Sequence, residues 1–155
     1  MRHWLMKSEP GECSIDDLVE APAQTVPWVG VRNYQARNFM RDEMRIGDGV
    51  LFYHSSCPDP GIAGLAEVSS AAYPDATQFD PTSPYADAGS KPETPRWSHV
   101  DVTLVRKTAL LPLAAMRAAP TLATMRVLQR GNRLSITPVT ADEWRAVLAL
   151  LAKAA

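Results

Sequence analysis

The segment Val50-Leu51-Phe52-Tyr53-His54 constrains this chain more than any other. It follows the turn residues Ile46-Gly47-Asp48-Gly49 and is apolar enough to read as a mostly buried strand. A second turn, Pro58 to Gly61, sends the chain back through Ile62 to Val68 as a hairpin partner. Gly64 inside that partner predicts a bulge or a close backbone approach. Alternation places Phe52 and His54 on one side of the first strand and Tyr53 and Ser55 on the other. One pair belongs to the core; the other is free to line a cleft.

Other strands gather around this hairpin. Arg2 to Lys7 alternates and stops before Pro10, which predicts a first strand. Val100-Asp101-Val102-Thr103-Leu104 alternates cleanly, and Leu134 to Thr137 follows the turn Arg130-Gly131-Asn132-Arg133. Helices fall at the connections. Ser14, with an acid three residues later, caps a short one, and Asp16 and Asp17 suit its dipole. Asn33 caps Tyr34 to Met44, whose wheel sets Ala36, Phe39 and Met40 on a core side. Tyr34, Asn38 and Arg41 lie opposite, with Arg37 at the margin. A short helix is expected after Pro112. The last helix starts at the capping box Thr140/Glu143, and its Trp144, Val147, Leu148 and Leu151 predict a core face. Residues 74 to 96 carry no period and read as a long loop, of a length that is usually functional or disordered.

The expected class is therefore α+β, with short strands in a small barrel or strongly curled sheet. The 155 residues fit one domain, 1–155, able to bury a core unaided. Net charge is −1, so a grip on nucleic acid has to come from a local basic patch. Cys13 and Cys57 form neither a disulfide framework nor a zinc signature, and His3, His54 and His99 are scattered. No cofactor is expected. No run approaches the roughly 20 apolar residues of a spanning helix, so the expectation is a cytoplasmic protein without a membrane partner.

Trp28 lies in a Pro-Trp-x-Gly loop beside a basic helix face, off any amphipathic stripe. It is either a stacking plane for a flat ligand or a ring folded onto the core. Lys7-Ser8 ends the first strand, where a hydroxyl or amide can reach into a cleft, although a turn serine before Pro10 is the simpler reading. Asn33 serves as a helix cap or offers a donor and an acceptor to one base edge. Arg32 and Arg37 can fork onto phosphates, and Arg96 is a weaker candidate. Arg41 reads as solvated. Tyr53, His54, Ser55, Leu134 and Ser135 are candidate cleft lining, with Tyr34 on the adjoining aromatic face. Arg126, Arg130 and Arg133 form a second basic cluster, either plain solvated surface or an extension of a nucleic-acid track.

An ordered series of motifs runs almost the whole length: Trp4-Leu5-Met6-Lys7-Ser8-Glu9-Pro10, Ser14-Ile15-Asp16-Asp17-Leu18, then Trp28 through Met40. Gly47-Asp48, Phe52-Tyr53-His54-Ser55, Tyr73-Pro74-Asp75, Arg96-Trp97, Val100-Asp101-Val102 and Leu134 through Pro138 follow in order. This series resembles the EVE domain family, whose relatives include the thymocyte nuclear protein family. Gly11-Glu12-Cys13 departs from it where relatives often carry an aromatic residue. The resemblance implies a PUA-like pseudobarrel with flanking short helices, kinship with the YTH readers of methylated adenine, and an aromatic pocket for a modified base. The candidate base is 5-methyl- or 5-hydroxymethylcytosine, in DNA or RNA. It implies that Trp28 stacks, that Lys7-Ser8 lines the pocket as the Lys-Ser pair of YTH domains does, and that Asn33 reads the base. A loop ring used that way is expected to be removable without opening the core.

Two other classes stay open at this point. Cys57 near His54 and Ser55 allows an enzyme with a cysteine nucleophile, although the spacing matches no hydrolase signature. A small-molecule or protein-interaction module on the same fold is the third.

Overall fold

The computed structural model describes residues 1–154. Eight strands form: β1 (His3–Ser8), β2 (Thr25–Pro27), β3 (Gly49–His54), β4 (Gly61–Val68), β5 (Tyr73–Pro74), β6 (Ser98–His99), β7 (Asp101–Pro112) and β8 (Ile136–Val139). Four α-helices accompany them: α1 (Ile15–Glu20), α2 (Tyr34–Asn38), α3 (Leu113–Ala118) and α4 (Ala141–Ala154). Six strands make one mixed sheet in the order β2-β7-β4-β3-β1-β8; β5 and β6 pair separately. Only the central β1–β3 pair is parallel; its neighbours in the sheet are antiparallel.

β3 is buried on both faces, as its composition predicts. Val50 and Phe52 join Trp4, Met6, Val102 and Ile136 in one core, closed off by Ile15 and Leu18 of α1 and by Ala36, Phe39 and Met40. Leu51 and Tyr53 join Leu5, Ile62, Leu65 and Leu111 in a second, covered by Met116 of α3 and by Val147 and Leu151 of α4. Trp144, expected in the core, is only half-buried and packs at a tilt against His3, with ring centroids 4.5 Å apart.

The sheet curls because its hairpins are irregular. The β4–β7 register slips between Ile62 and Gly64 and again between Leu65 and Ala66, and such bulges increase local twist. Gly64 is where α1 comes closest: a Cβ there would stand 2.5 Å from the Ile15 Cδ1 methyl. Laid flat at about 4.8 Å per strand, the edges β2 and β8 would be roughly 24 Å apart. Instead Val26 and Pro27 of β2 and Ser135, next to β8, line the same cavity. The edges face each other across a gap without pairing, so the curled sheet stays open along one seam.

The cap predictions hold. The Ser14 hydroxyl accepts from the Asp17 amide (3.1 Å) while the Asp17 carboxylate accepts from the Ser14 amide (2.8 Å), and Thr140 and Glu143 do the same at α4. The predicted helix from Tyr34 to Met44 is shorter: after Asn38 it loosens into a π-type turn over Phe39–Glu43. β7 is far longer than the Val100–Leu104 segment that alternates: beyond it Val105, Arg106 and Lys107 are exposed in succession, so no burial alternation marks the strand.

The 74–96 loop is held by two buried polar hubs. Asp75 accepts from the Gly30 amide (2.9 Å), the Thr77 amide (2.8 Å), the Thr77 hydroxyl and Arg32 Nη1 (3.2 Å). Burial pushes the Asp75 carboxyl up, and the hydrogen bonds from Thr77, Gly30 and Arg32 outweigh it, so the net shift is downward. Gln78 donates to the carbonyls of Asp75 and Trp97 and accepts from the Ser90 hydroxyl and the Trp97 amide.

Candidate functional site

The gap between the sheet edges is a cavity of about 500 Å³, within the range of ligand pockets. Its floor is the end of β1, with Lys7, Ser8 and the neighbouring Ser135, whose carbonyl accepts from the Lys7 amide at 2.8 Å. One wall is Val26 through Arg32. Glu12, Cys13, Pro84 and Tyr85 complete the rim.

Trp28 lines this cavity and is also core. It is 7% exposed, packs edge-on against Phe52 at 5.4 Å, and its amide donates to the Val100 carbonyl at 2.9 Å. The ring is folded onto the core, and the part that is not packed borders the void. The expectation that it could be removed without opening the core is corrected.

The second aromatic wall is Tyr85, from the long loop. Its ring lies over Gly30, which has φ +85°; a Cβ there would come within 2.7 Å of the ring, so glycine serves both backbone and contact. The Tyr85 hydroxyl donates to Glu12 Oε2 at 2.7 Å across the cavity mouth. That bond, with burial, raises the phenol to about 12, so it remains a donor at neutral pH.

At the floor, the Ser8 hydroxyl donates to the Cys13 carbonyl at 2.6 Å and keeps lone pairs free to accept. Burial draws the Lys7 ammonium below the usual lysine range, and burial, with the nearby Asp17 charge, raises the Cys13 thiol above its own.

Of the residues singled out in the sequence, Lys7, Ser8, Trp28, Arg32 and Ser135 meet at this cavity. Arg32 is spent there. Its Nε and Nη2 donate to the Tyr85 carbonyl, Nη2 also to Thr77, and Nη1 to the Val31 carbonyl and Asp75. All its N–H groups are engaged, which corrects its assignment to phosphate: it ties the loop to the cavity wall.

Tyr53 is corrected as well, since it faces the second core. Ser55 pairs its amide with the Ser8 carbonyl at 3.0 Å, outside the lining. His54 lies on the far side of the Pro10–Asp16 segment, in a hollow of about 350 Å³ shared with Cys57 and Lys107. Its Nε2 accepts from the Ile15 amide at 3.0 Å, so the ring is neutral and its basic nitrogen is occupied. Asn33 caps α2, its Oδ1 accepting from the Ala36 amide at 3.0 Å, and both it and Tyr34 stand outside the cavity. Leu134 is half-buried behind Ser135. Arg37 stands 4.7 Å from the Tyr34 ring centroid and donates to the Arg96 carbonyl at 2.8 Å; Arg96 pairs with Asp87 at 3.5 Å.

Sequence reasoning missed Tyr85 and Glu12 as site residues. The length of the 74–96 loop was the available signal; nothing local tells which of its residues turns inward. Among the described residues no helix is long and apolar enough to cross a membrane, and no cluster of His, Cys, Asp or Glu could hold a metal ion.

Comparison with known proteins agrees with this fold. The EVE domain matches residues 2–150. Human thymocyte nuclear protein 1 is 46% identical over 96% of this chain and 73% of its own length. The word nuclear in that name gives the cytoplasmic expectation no support. A crystal structure from Pseudomonas syringae superposes with a TM-score of 0.91 at 48% identity, covering 96% of this chain and 98% of the other. The human THYN1 protein, crystallised with 5-methylcytosine-containing DNA, gives a TM-score of 0.91 at 45% identity, covering 97% of each chain. The chain belongs to the EVE domain family.

Proposed function

We propose that this protein is a non-enzymatic reader that takes one modified base of a nucleic acid, 5-methyl- or 5-hydroxymethylcytosine, into the cavity between its sheet edges. The observation that carries the reading is the cavity itself: aromatic walls at Trp28 and Tyr85, with Lys7 and Ser8 as a polar floor. A base removed from its stack needs flat apolar walls and a few fixed partners for its edge. Glu12 is a carboxylate acceptor suited to the exocyclic amine of cytosine, and Lys7 is a donor suited to its carbonyl oxygen. Val26, Pro27 and Val31 supply apolar surface for a methyl group at carbon five. The human THYN1 complex with 5-methylcytosine-containing DNA supports DNA as the first nucleic acid to test.

Titration of oligonucleotides that differ only in cytosine, 5-methylcytosine and 5-hydroxymethylcytosine is the test. A modified base is expected to bind more tightly, and Cys57→Ser is expected to change nothing. Equal, negligible binding to all would sink the reading.

A further inference from the structure

Outside the cavity, Tyr34 is 52% exposed yet held in place. Its ring stacks on Trp97 with centroids 4.8 Å apart and planes inclined by 22°. Trp97 is buried and fixed: its indole N–H donates to Asp87 at 2.8 Å and its backbone is clamped by Gln78. The Arg37 guanidinium lies 4.7 Å from the Tyr34 centroid and 5.9 Å from that of Trp97. A guanidinium directly opposite Trp97 across Tyr34 would stand well beyond 5.9 Å from Trp97, so Arg37 lies to the side of the stack, and the exposure of Tyr34 comes from the face turned away from Trp97. Arg37 is itself steadied, its Nε and Nη2 donating to Asn38 Oδ1 at 3.1 and 2.8 Å.

This platform adjoins the cavity. The Arg32 guanidinium stands 5.7 Å from the Tyr85 ring, a cavity wall, and 5.3 Å from the Trp97 ring, the base of the platform. A flat, rigid, solvent-facing π-surface beside a cation suits an unpaired nucleobase and its phosphate, because stacking accepts any base and the guanidinium offsets the backbone charge.

We infer that the open face of Tyr34, backed by Trp97 and flanked by Arg37, is a second stacking site, which holds the nucleotide adjacent to the base in the cavity. The inference rests on the proposed reading of the cavity, and it assigns a different nucleotide to a different surface.

The test uses the full chain and single-stranded DNA carrying one 5-methylcytosine, with natural flanks or with an abasic site on its 5′ or 3′ side. In the unmodified protein, one abasic replacement weakens binding roughly five- to hundredfold. Tyr34→Leu weakens the natural-flank strand by a similar factor, becomes indifferent to the abasic site, and keeps its preference for 5-methylcytosine over cytosine. Tyr34→Phe behaves as the parent does, which separates stacking from any effect on folding.

Tight binding of the natural-flank strand by Tyr34→Leu would overturn the inference. So would a full abasic penalty persisting in that variant, as expected if Tyr34 instead meets a protein, or loss of the 5-methylcytosine preference, which would place Tyr34 in the cavity. An abasic penalty without any preference for the modified base would sink the cavity reading and leave the platform standing. Binding of no strand would overturn both.

Discussion

Two hollows flank the segment Pro10–Asp16. One holds Trp28, Tyr85, Lys7 and Ser8; the other holds His54, Cys57, Asp16 and Lys107. By inventory the second has the more reactive chemistry, with an imidazole and a thiol three residues apart in sequence. By geometry it is the less capable. Its imidazole nitrogen is used to hold the first amide of α1, so it has no lone pair to act as a base. The first hollow lies where two sheet edges face without pairing. There, strand ends, a tryptophan and a loop tyrosine converge from parts of the chain far apart in sequence. Reactive residue types close in sequence do not by themselves make a site; the proposed one lies at an unclosed seam with partly committed polar groups.

The largest expected effect tests whether the first hollow is built on the core. Trp28→Ala should cost about 3–5 kcal/mol of stability, read by denaturant unfolding, because a packed ring is deleted. Trp28→Phe should lose less stability while still weakening base binding. Unfolding of Trp28→Ala at the parent's midpoint would mean that the ring is free in a loop and that the two hollows share no core.

The second hollow can be tested through its histidine. Burial holds the His54 imidazole below the usual histidine range, more strongly than nearby Asp16 raises it. The unfolded chain therefore takes up this proton first. The stabilising contribution of neutral His54 is complete above about pH 6.5 and is lost as the pH falls from there through the folded-state value. Relative to intrinsic exchange rates at each pH, protection of the Ile15 amide should fall over that window while that of the Trp28 amide stays constant. Constant protection at Ile15 would show that the imidazole does not hold α1.

The smallest effect concerns two arginines, Arg32 in the wall of the first hollow and Arg37 beside it. Arg37 keeps unengaged N–H groups, whereas those of Arg32 are all committed. Arg37→Ala should weaken oligonucleotide binding for every sequence and lower the slope of log affinity against log salt by about 0.7–0.9. Arg32→Ala should instead loosen the 74–96 loop, seen as faster proteolysis there. An unchanged slope for Arg37→Ala would remove it from the phosphate contacts.

Much of the fold was legible. Caps at Ser14, Asn33 and Thr140, the buried β3–β4 hairpin and the close approach at Gly64 all follow from patterns a few residues long. The site was legible in part. Lys7, Ser8, Trp28 and Ser135 come together, while Tyr53, His54 and Ser55 do not, because alternation says that two sides exist without saying which one meets the seam. Tyr85 was hidden inside a segment without period, and its position depends on the hubs at Asp75 and Gln78.

What the sequence alone determined is therefore local: where strands and helices start, which residues alternate, and which side of α2 is apolar. Those depend on backbone propensity and on neighbours within a turn or two. Only the tertiary structure decided that β2 and the end of β1 share a cavity, that Arg32 has no N–H to spare, and that Tyr34 looks outward from a fixed stack. Each of these depends on groups distant along the chain, brought together by the curl of the sheet, and no short pattern encodes that curl.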